Sequence, residues 1–227
     1  MALLAGKPMI GHVWDRVSEC SQLTDKVVAT CDVEIAEYIT SIGGRAVMTG
    51  SHHERASDRC AEALEILEAE AGCQYDIVVL VQGDEPMIQS AMIEEALRPM
   101  HDEPAVQVTN LLGIIESTEE FEDRNCIKVV CDLRGNALYF SREPIPTRSK
   151  VKNIPMGKQV CVIPFRRDFL LKYTRLAPTP LEIVESVDMM RVLEHGYQVR
   201  MVPTAHQSQS VDTPADLAKL EKLLSLG

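Results

Sequence analysis

The chain has 227 residues, 45% apolar and 25% charged, with a net charge of −11 at pH 7 and a sequence pI of about 5.0. Such a length supports one domain with a substantial core, and the negative field repels a nucleic-acid backbone, so any nucleotide is held locally as a small molecule. The longest apolar run, residues 77–81, is too short to span a bilayer, and seven scattered cysteines without a Cys-x-x-Cys pair point to reduced thiols in a cytoplasmic protein rather than to zinc or a disulfide framework.

Met1–Lys7 is too short for a signal-peptide core. Residues 8–20 read as a helix, with Pro8 near the first turn, where a missing N–H costs nothing. Residues 26–30 form a β-branched run, and residues 33–42 a helix ended by Gly43-Gly44. Residues 45–48 are a short strand, and residues 57–71 a helix with Ser57 as N-cap. Residues 75–81 end in the uninterrupted apolar run 77–81, the pattern of a strand buried on both faces in a parallel sheet. A helix over 90–100 and a strand over 105–115 follow, so the first half alternates as a doubly wound α/β sheet does.

The second half changes character. Residues 126–132 and 137–141 read as strands joined by a tight turn at Arg134-Gly135-Asn136. The connection over 142–157 is basic, carries Pro144, Pro146 and Pro155, and reads as a mobile loop. A strand over 160–165, helices over 167–175 and 181–194, a strand over 199–202 and a helix from Pro214 to residue 224 complete the chain.

Asp84 stands directly after the apolar run of residues 77–81, at the carboxyl end of a strand, where open α/β sheets bind ligands. A carboxylate there suits magnesium beside substrate phosphates, or else simply caps the turn. Asp212 carries the same ambiguity, since Asp212 or Thr213 also suits the N-cap of the helix that Pro214 opens. Arg55, Arg59, Arg142 and Arg148 are candidates for phosphate or carboxylate oxygens, which guanidinium forks match. The six histidines show no metal-ligand spacing; His52-His53 reads as a loop pair that touches a ligand or lies on the surface.

The motifs go further. Gly6-Lys7-Pro8-Met9-Ile10 with His12-Val13, Val81-Gln82-Gly83-Asp84-Glu85-Pro86-Met87-Ile88, Ile127-Lys128-Val129-Val130, Ala137-Leu138-Tyr139-Phe140-Ser141-Arg142, Leu181-Glu182 with Glu185, Asp188 and Arg191, and Val211-Asp212-Thr213-Pro214 occur in order across the chain. Together they resemble the 3-deoxy-manno-octulosonate (Kdo) cytidylyltransferases. The resemblance implies a Rossmann-like α/β nucleotidyltransferase fold with a mostly parallel central sheet. Residues 1–227 would be one cytidylyltransferase domain, and residues 126–165 a β-rich sugar-binding and dimerisation subregion within it. The implied reaction moves CMP from CTP to a 2-keto-3-deoxy sugar acid and releases pyrophosphate, for lipopolysaccharide or surface polysaccharide synthesis. Asp84 and Asp212 would hold magnesium, and Gln82, Arg59 and Arg142 would line the sugar-acid pocket. Ser57 and Asp58 would face the nucleotide, Gln159 and Glu185 would contact substrate, and the protein would be a homodimer touching near Gly135.

Three departures accompany the resemblance. The family's first strand and its CTP-cradling loop, about 15–20 residues at usual strand lengths, have no counterpart ahead of Gly6, and the chain is expected to open directly at the helix. Arg55-Ala56-Ser57-Asp58-Arg59 stands where relatives read Ser-Gly-Thr-Asp/Glu-Arg. Gln159 and Ile163 stand near a His and a Tyr of relatives, which opens the substrate to Kdo analogues. The alternative is a catalytically impaired paralogue that serves as a binding module.

Overall fold

The computed structural model describes residues 1–151 and 155–224. The chain divides into two compact units: Met1–Tyr75 with Leu80–Glu94 and Ser208–Gly227, and Asp76–Val79 with Glu95–Gln207.

The first unit opens with an antiparallel pair, β1 (Leu3–Leu4) and β2 (Lys7–Pro8). Ala5 (φ 50°) and Gly6 (φ 80°) turn the chain between them, two positive φ values in succession, as primed hairpin turns require. The chain therefore does not open directly at the helix. Helix α1 (Met9–Ser18) begins one residue later than expected, because Pro8 is its N-cap with an extended ψ of 134°. Next come β3 (Val28–Thr30), α2 (Val33–Ser41), β4 (Ala46–Met48) and α3 (Ala56–Ala71). β3 and β4 pair in parallel, and α2 closes where Gly43 takes a φ of 78°. Ser57 is not the cap of α3: Arg55 holds the N-cap position, and Ser57 is buried inside the first turn.

β5 (Ile77–Val81) runs from the second unit into the first, and α4 (Ser90–Asp102) runs back. β5 pairs with β10 (below), and only Leu80 along it is fully buried, so the strand is less enclosed than its uninterrupted apolar run suggests.

The second unit continues with β6 (Thr109–Ile115), α5 (Thr118–Glu122), β7 (Lys128–Cys131), β8 (Ala137–Ser141), β9 (Met156–Val160), β10 (Val162–Arg166), α6 (Arg167–Tyr173), α7 (Pro180–Glu185), α8 (Asp188–Glu194) and β11 (Arg200–Pro203). Five of these strands form a sheet in the order β11-β6-β9-β7-β8. β11 lies parallel to β6, while β9 pairs antiparallel with both β6 and β7, and β7 with β8. The α/β class stands, but this largest sheet is mixed rather than mostly parallel. A tight turn joins β7 to β8 where a helical crossover would be needed for parallel neighbours. The turn falls on Asp132–Asn136 as expected, with Gly135 at φ 81°.

Two expected continuous elements are broken. The strand over 160–165 stops at Cys161, so that β9 joins the five-stranded sheet and β10 joins β5. Buried Asn110 holds the break, its amide donating to the carbonyls of Val160 (2.7 Å) and Val162 (3.5 Å). The helix over 181–194 splits at Ser186, a left-handed residue (φ 51°) between α7 and α8. Helix α5 was not expected; the Ser117 hydroxyl caps it by accepting from the Glu120 amide at 3.0 Å. Residues 142–151 form neither helix nor strand; residues 152–154 of the expected loop lie outside the described residues.

α9 (Pro214–Leu224) returns the chain to the first unit, where Leu220 packs with Leu4 and Val211 against Met9, Met87 and Leu217. Full burial of each such side chain contributes about 1.5–3 kcal/mol. Among the described residues no helix is long and apolar enough to cross a membrane. Cys20, Cys31, Cys73, Cys126 and Cys131 are free thiols.

Candidate functional site

The sequence-named residues divide between the two units. In the first, β5 ends at Val81 and the chain turns through Gln82 to Glu85, closed by the Glu85 amide on the Gln82 carbonyl (3.4 Å). Two bonds bring the segment before α9 to this turn. The Val211 amide donates to the Asp84 main-chain oxygen at 2.9 Å, and the Ser208 hydroxyl donates to the carboxylate of buried Glu85. Glu85 thus ties this turn to the segment before α9, a use that its sequence position beside Asp84 does not announce.

The carboxylate of Asp84 is different. Its Oδ1 is buried and has no hydrogen-bond partner among the described residues. Burial pushes its pKa up, a bond from its own main-chain amide pulls it down, and the charge of Asp212 pushes it up again. Asp212 itself is exposed and accepts from the Ser210 hydroxyl at 2.9 Å. It does not cap α9. Thr213 and Asp216 do that reciprocally, through the Asp216 amide to Thr213 Oγ1 (3.2 Å) and the Thr213 amide to Asp216 Oδ2 (2.8 Å). Capping by Thr213 and Asp216 removes the capping reading for Asp212, whose charge is felt at Asp84.

A buried, partnerless carboxylate oxygen repelled by a second carboxylate fits a divalent cation, which would remove both penalties. No group of three or more His, Cys, Asp or Glu among the described residues is arranged to hold a metal. The donor set suits magnesium, which takes one or two carboxylates and completes its shell with waters and phosphates.

Arg59 and Glu62, one turn apart on α3, grip a single residue. Arg59 Nη1 donates to Thr49 Oγ1 (2.6 Å) and to the Gly50 carbonyl (3.3 Å), while the Glu62 carboxylate accepts from the Gly50 amide (2.8 Å) and pairs with His53. The Gly50 amide, followed by His53, holds the Glu62 carboxyl below its usual range. A Cβ at Gly50 would sit 2.3 Å from the ring of exposed His52, so a larger residue there would require that ring to move. His53 is thereby a loop anchor, and Glu62 is a residue that the sequence reading missed. Ser57 is fully buried and Asp58 half-buried in the first turn of α3.

In the second unit, Arg142 and Glu185 meet by an unexpected route. Their side chains do not form a simple ion pair. Glu185 accepts from Tyr139 Oη (3.1 Å), Ser141 Oγ (3.1 Å) and the Arg142 main-chain amide (2.8 Å). The Arg142 guanidinium donates to the carbonyls of Glu185 (2.6 Å), Arg124 (3.0 Å) and Ser186 (3.2 Å). Burial first, and then Glu185, raises the Tyr139 pKa. Gln159 Nε2 donates to Asn110 Oδ1 at 2.6 Å, and Ile163 is buried. Arg148 stacks over the Phe121 ring with its guanidinium carbon 5.1 Å from the centroid.

A family model described as Cytidylyltransferase matches residues 1–204. The 3-deoxy-manno-octulosonate cytidylyltransferase of Geobacter metallireducens is 41% identical, over 99% of this chain and 91% of that protein. Its counterpart from Geobacter sulfurreducens is 42% identical, over 98% and 92%. A solved CMP:2-keto-3-deoxy-manno-octonic acid synthetase complexed with CTP superposes with a TM-score of 0.88 at 34% identity, covering 99% of this chain and 90% of that one. A 4-diphosphocytidyl-2C-methyl-D-erythritol synthase from Anaerococcus prevotii shares the fold alone (TM-score 0.60, 13% identity). With motifs, fold and relatives in agreement along the chain, this protein belongs to the 3-deoxy-manno-octulosonate cytidylyltransferase family.

Proposed function

We propose that this chain transfers CMP from CTP to 3-deoxy-manno-octulosonate or a close analogue and releases pyrophosphate. The relatives' activity and the CTP bound to the similar synthetase support the reading. The observation within this chain that carries it is the partnerless buried oxygen of Asp84 beside Asp212. The anomeric hydroxyl of the sugar acid attacks the α-phosphorus in line. A P–O bond forms there, the bond to the bridging oxygen breaks, pyrophosphate departs with that electron pair, and the hydroxyl proton passes to solvent. Asp84 and Asp212 would hold magnesium, which when bound neutralises phosphate charge and lowers the pKa of a coordinated hydroxyl.

The chain's own side chains contribute position and charge. Arg59, anchored through Thr49 and Gly50, and Arg142, anchored through three carbonyls, offer fixed cations to the carboxylate and phosphate oxygens. Gln82 and Gln159 offer neutral hydrogen bonds to sugar hydroxyls, and Ser57 and Asp58 face the nucleotide. We place the protein in the cytoplasm as a homodimer joined near Gly135, where Leu133 and Leu138 are exposed; a monomer in sedimentation at micromolar concentration overturns the dimer. The binding-module alternative has no observation of its own in its favour.

Pyrophosphate release is measured with CTP, Kdo and magnesium together and with each omitted in turn. Release that needs all three is expected. A folded protein that releases none with Kdo or with Kdo analogues overturns the reading.

A further inference from the structure

Lys128, at the start of β7, is completely buried, and none of the chemistry above uses it. Its strand register places it opposite Ser141 of β8 and Lys158 of β9. An ammonium is expensive to bury, and an apolar side chain would pack a strand at lower cost. The group is nonetheless fully served, because its three N–H donors reach three main-chain oxygens. They are those of Asp123 (2.7 Å), Cys126 (2.7 Å) and Arg142. No carboxylate accepts from it among the described residues, so these bonds fix backbone rather than neutralise charge.

The three acceptors are not scattered. Asp123 and Cys126 bracket the connection between α5 and β7, and Arg142 follows directly on β8. The same connection carries the Arg124 carbonyl to which the Arg142 guanidinium donates. Lys128 therefore holds Arg142 twice, once by its own carbonyl and once through the segment that receives its guanidinium. On the far side Arg142 is held by the Glu185 carboxylate and by the carbonyls of Glu185 and of left-handed Ser186. Of five guanidinium N–H donors, three go to carbonyls, which leaves one on each terminal nitrogen for a ligand among the described residues.

We propose that Lys128 is a positioning residue for Arg142, a buried ammonium tripod that aims the remaining guanidinium N–H groups at the anionic part of the sugar acid. The proposal rests on the functional reading above for its substrate, whereas the mechanical link between Lys128 and Arg142 stands apart from it.

The test uses Lys128→Met, Arg142→Ala and the double variant, with folding checked by circular dichroism. Lys128→Met is expected to lower kcat/KM for the sugar acid by about tenfold to a hundredfold, the cost of a small misplacement of a binding group, with the KM for CTP unchanged. Acting through Arg142, it adds almost nothing in the double variant beyond Arg142→Ala alone. Losses that multiply in the double variant overturn the proposal, because a merely structural lysine would weaken the protein whether or not Arg142 is present. Hydrogen exchange supplies the arm that needs no substrate. In the folded variant the Arg142 amide exchanges faster than in the wild type, and unchanged protection overturns the proposal. Lys128→Gln, which keeps two N–H donors, takes the same measurements if Lys128→Met does not fold. Should the wild type fail to turn over CTP and Kdo, the functional reading falls and the exchange experiment still decides the role of Lys128.

Discussion

Replacement of Asp84 by Asn removes one negative charge while keeping the size and shape of the side chain. The Asp84 main-chain oxygen still accepts the Val211 amide at 2.9 Å, so the tie between the turn after β5 and the segment before α9 remains. What changes is the oxygen that is buried without a partner. A neutral amide costs less to bury than a carboxylate, and it is not repelled by Asp212. Without metal the variant is therefore expected to melt no lower than the wild type, and higher by about 2–4 °C if the relief is on the order of 1 kcal/mol. Magnesium reverses the order. A cation at a hundred times its Kd stabilises the form that binds it by about 2.7 kcal/mol, which is about 5–10 °C for a chain of this size. The wild type should gain that shift and Asp84→Asn should lose most of it. Turnover of CTP and Kdo should fall by about 10²–10³, as when one fixed electrostatic element of a transition state is removed. Melting curves with and without magnesium, beside pyrophosphate release, read all three quantities. A variant that keeps activity within tenfold or the full magnesium shift refutes the metal role; one that melts well below the metal-free wild type refutes the reasoning about its unpartnered oxygen.

The Glu182–Arg191 pair gives a second test, being buried at 1% and 5% side-chain exposure and doubly bonded at 2.7 and 2.6 Å. Glu182→Gln leaves the guanidinium buried over the Tyr173 ring and should cost about 3–5 kcal/mol in urea unfolding, whereas joint replacement by Leu and Met should recover most of it. Failure of the single change to move the midpoint would refute the assignment. Acid should also destabilise the protein in a defined window. Asp132, whose carboxyl is held below its ordinary 3.8 by the amide of Asn136, contributes stability that is complete above that value and is lost as pH falls through the lowered one. Asp132→Asn should therefore show a shallower loss of melting temperature below pH 3.8, and parallel curves would contradict this. Alkylation followed by mass spectrometry should label exposed Cys73 first and Cys126 late, since burial and then the Glu120 charge push the Cys126 thiol up to about 11.

Where a local signal and the tertiary structure agree, the sequence was readable. Gly43 ended a helix and Gly135 made a hairpin because both positions need positive φ, which the residue type announces. Where tertiary bonds impose a local conformation, the reading failed. Nothing in Glu185-Ser186-Val187 announces a helix break. Ser186 is left-handed in a structure where its carbonyl accepts from Arg142, 44 residues away. Cys161 likewise ends a strand because Asn110, about 50 residues earlier, takes the carbonyls on either side of it. The position of Asp84 just past the end of β5 followed from the order of elements alone.

Residue type and position do not separate a side chain that meets substrate from one that holds it in place, but unused hydrogen-bonding capacity does. Arg142 and Glu185 were both named from the same motifs. Glu185 has both carboxylate oxygens taken by Tyr139, Ser141 and the Arg142 amide, so it holds the arginine. Arg142 keeps one N–H on each terminal nitrogen for a ligand. The adjacent acids Asp84 and Glu85 divide in the same way, Glu85 accepting from Ser208 while Asp84 keeps an oxygen that no described residue satisfies. On α3, Arg59 and Glu62 take the carbonyl and the amide of one glycine, Gly50. In each group a residue whose bonds go to the protein stands next to one with hydrogen-bonding capacity to spare or a fixed cationic group. Glu185 and Arg142 are joined directly by hydrogen bonds, so in the double variant replacement of Glu185 should add almost nothing to replacement of Arg142.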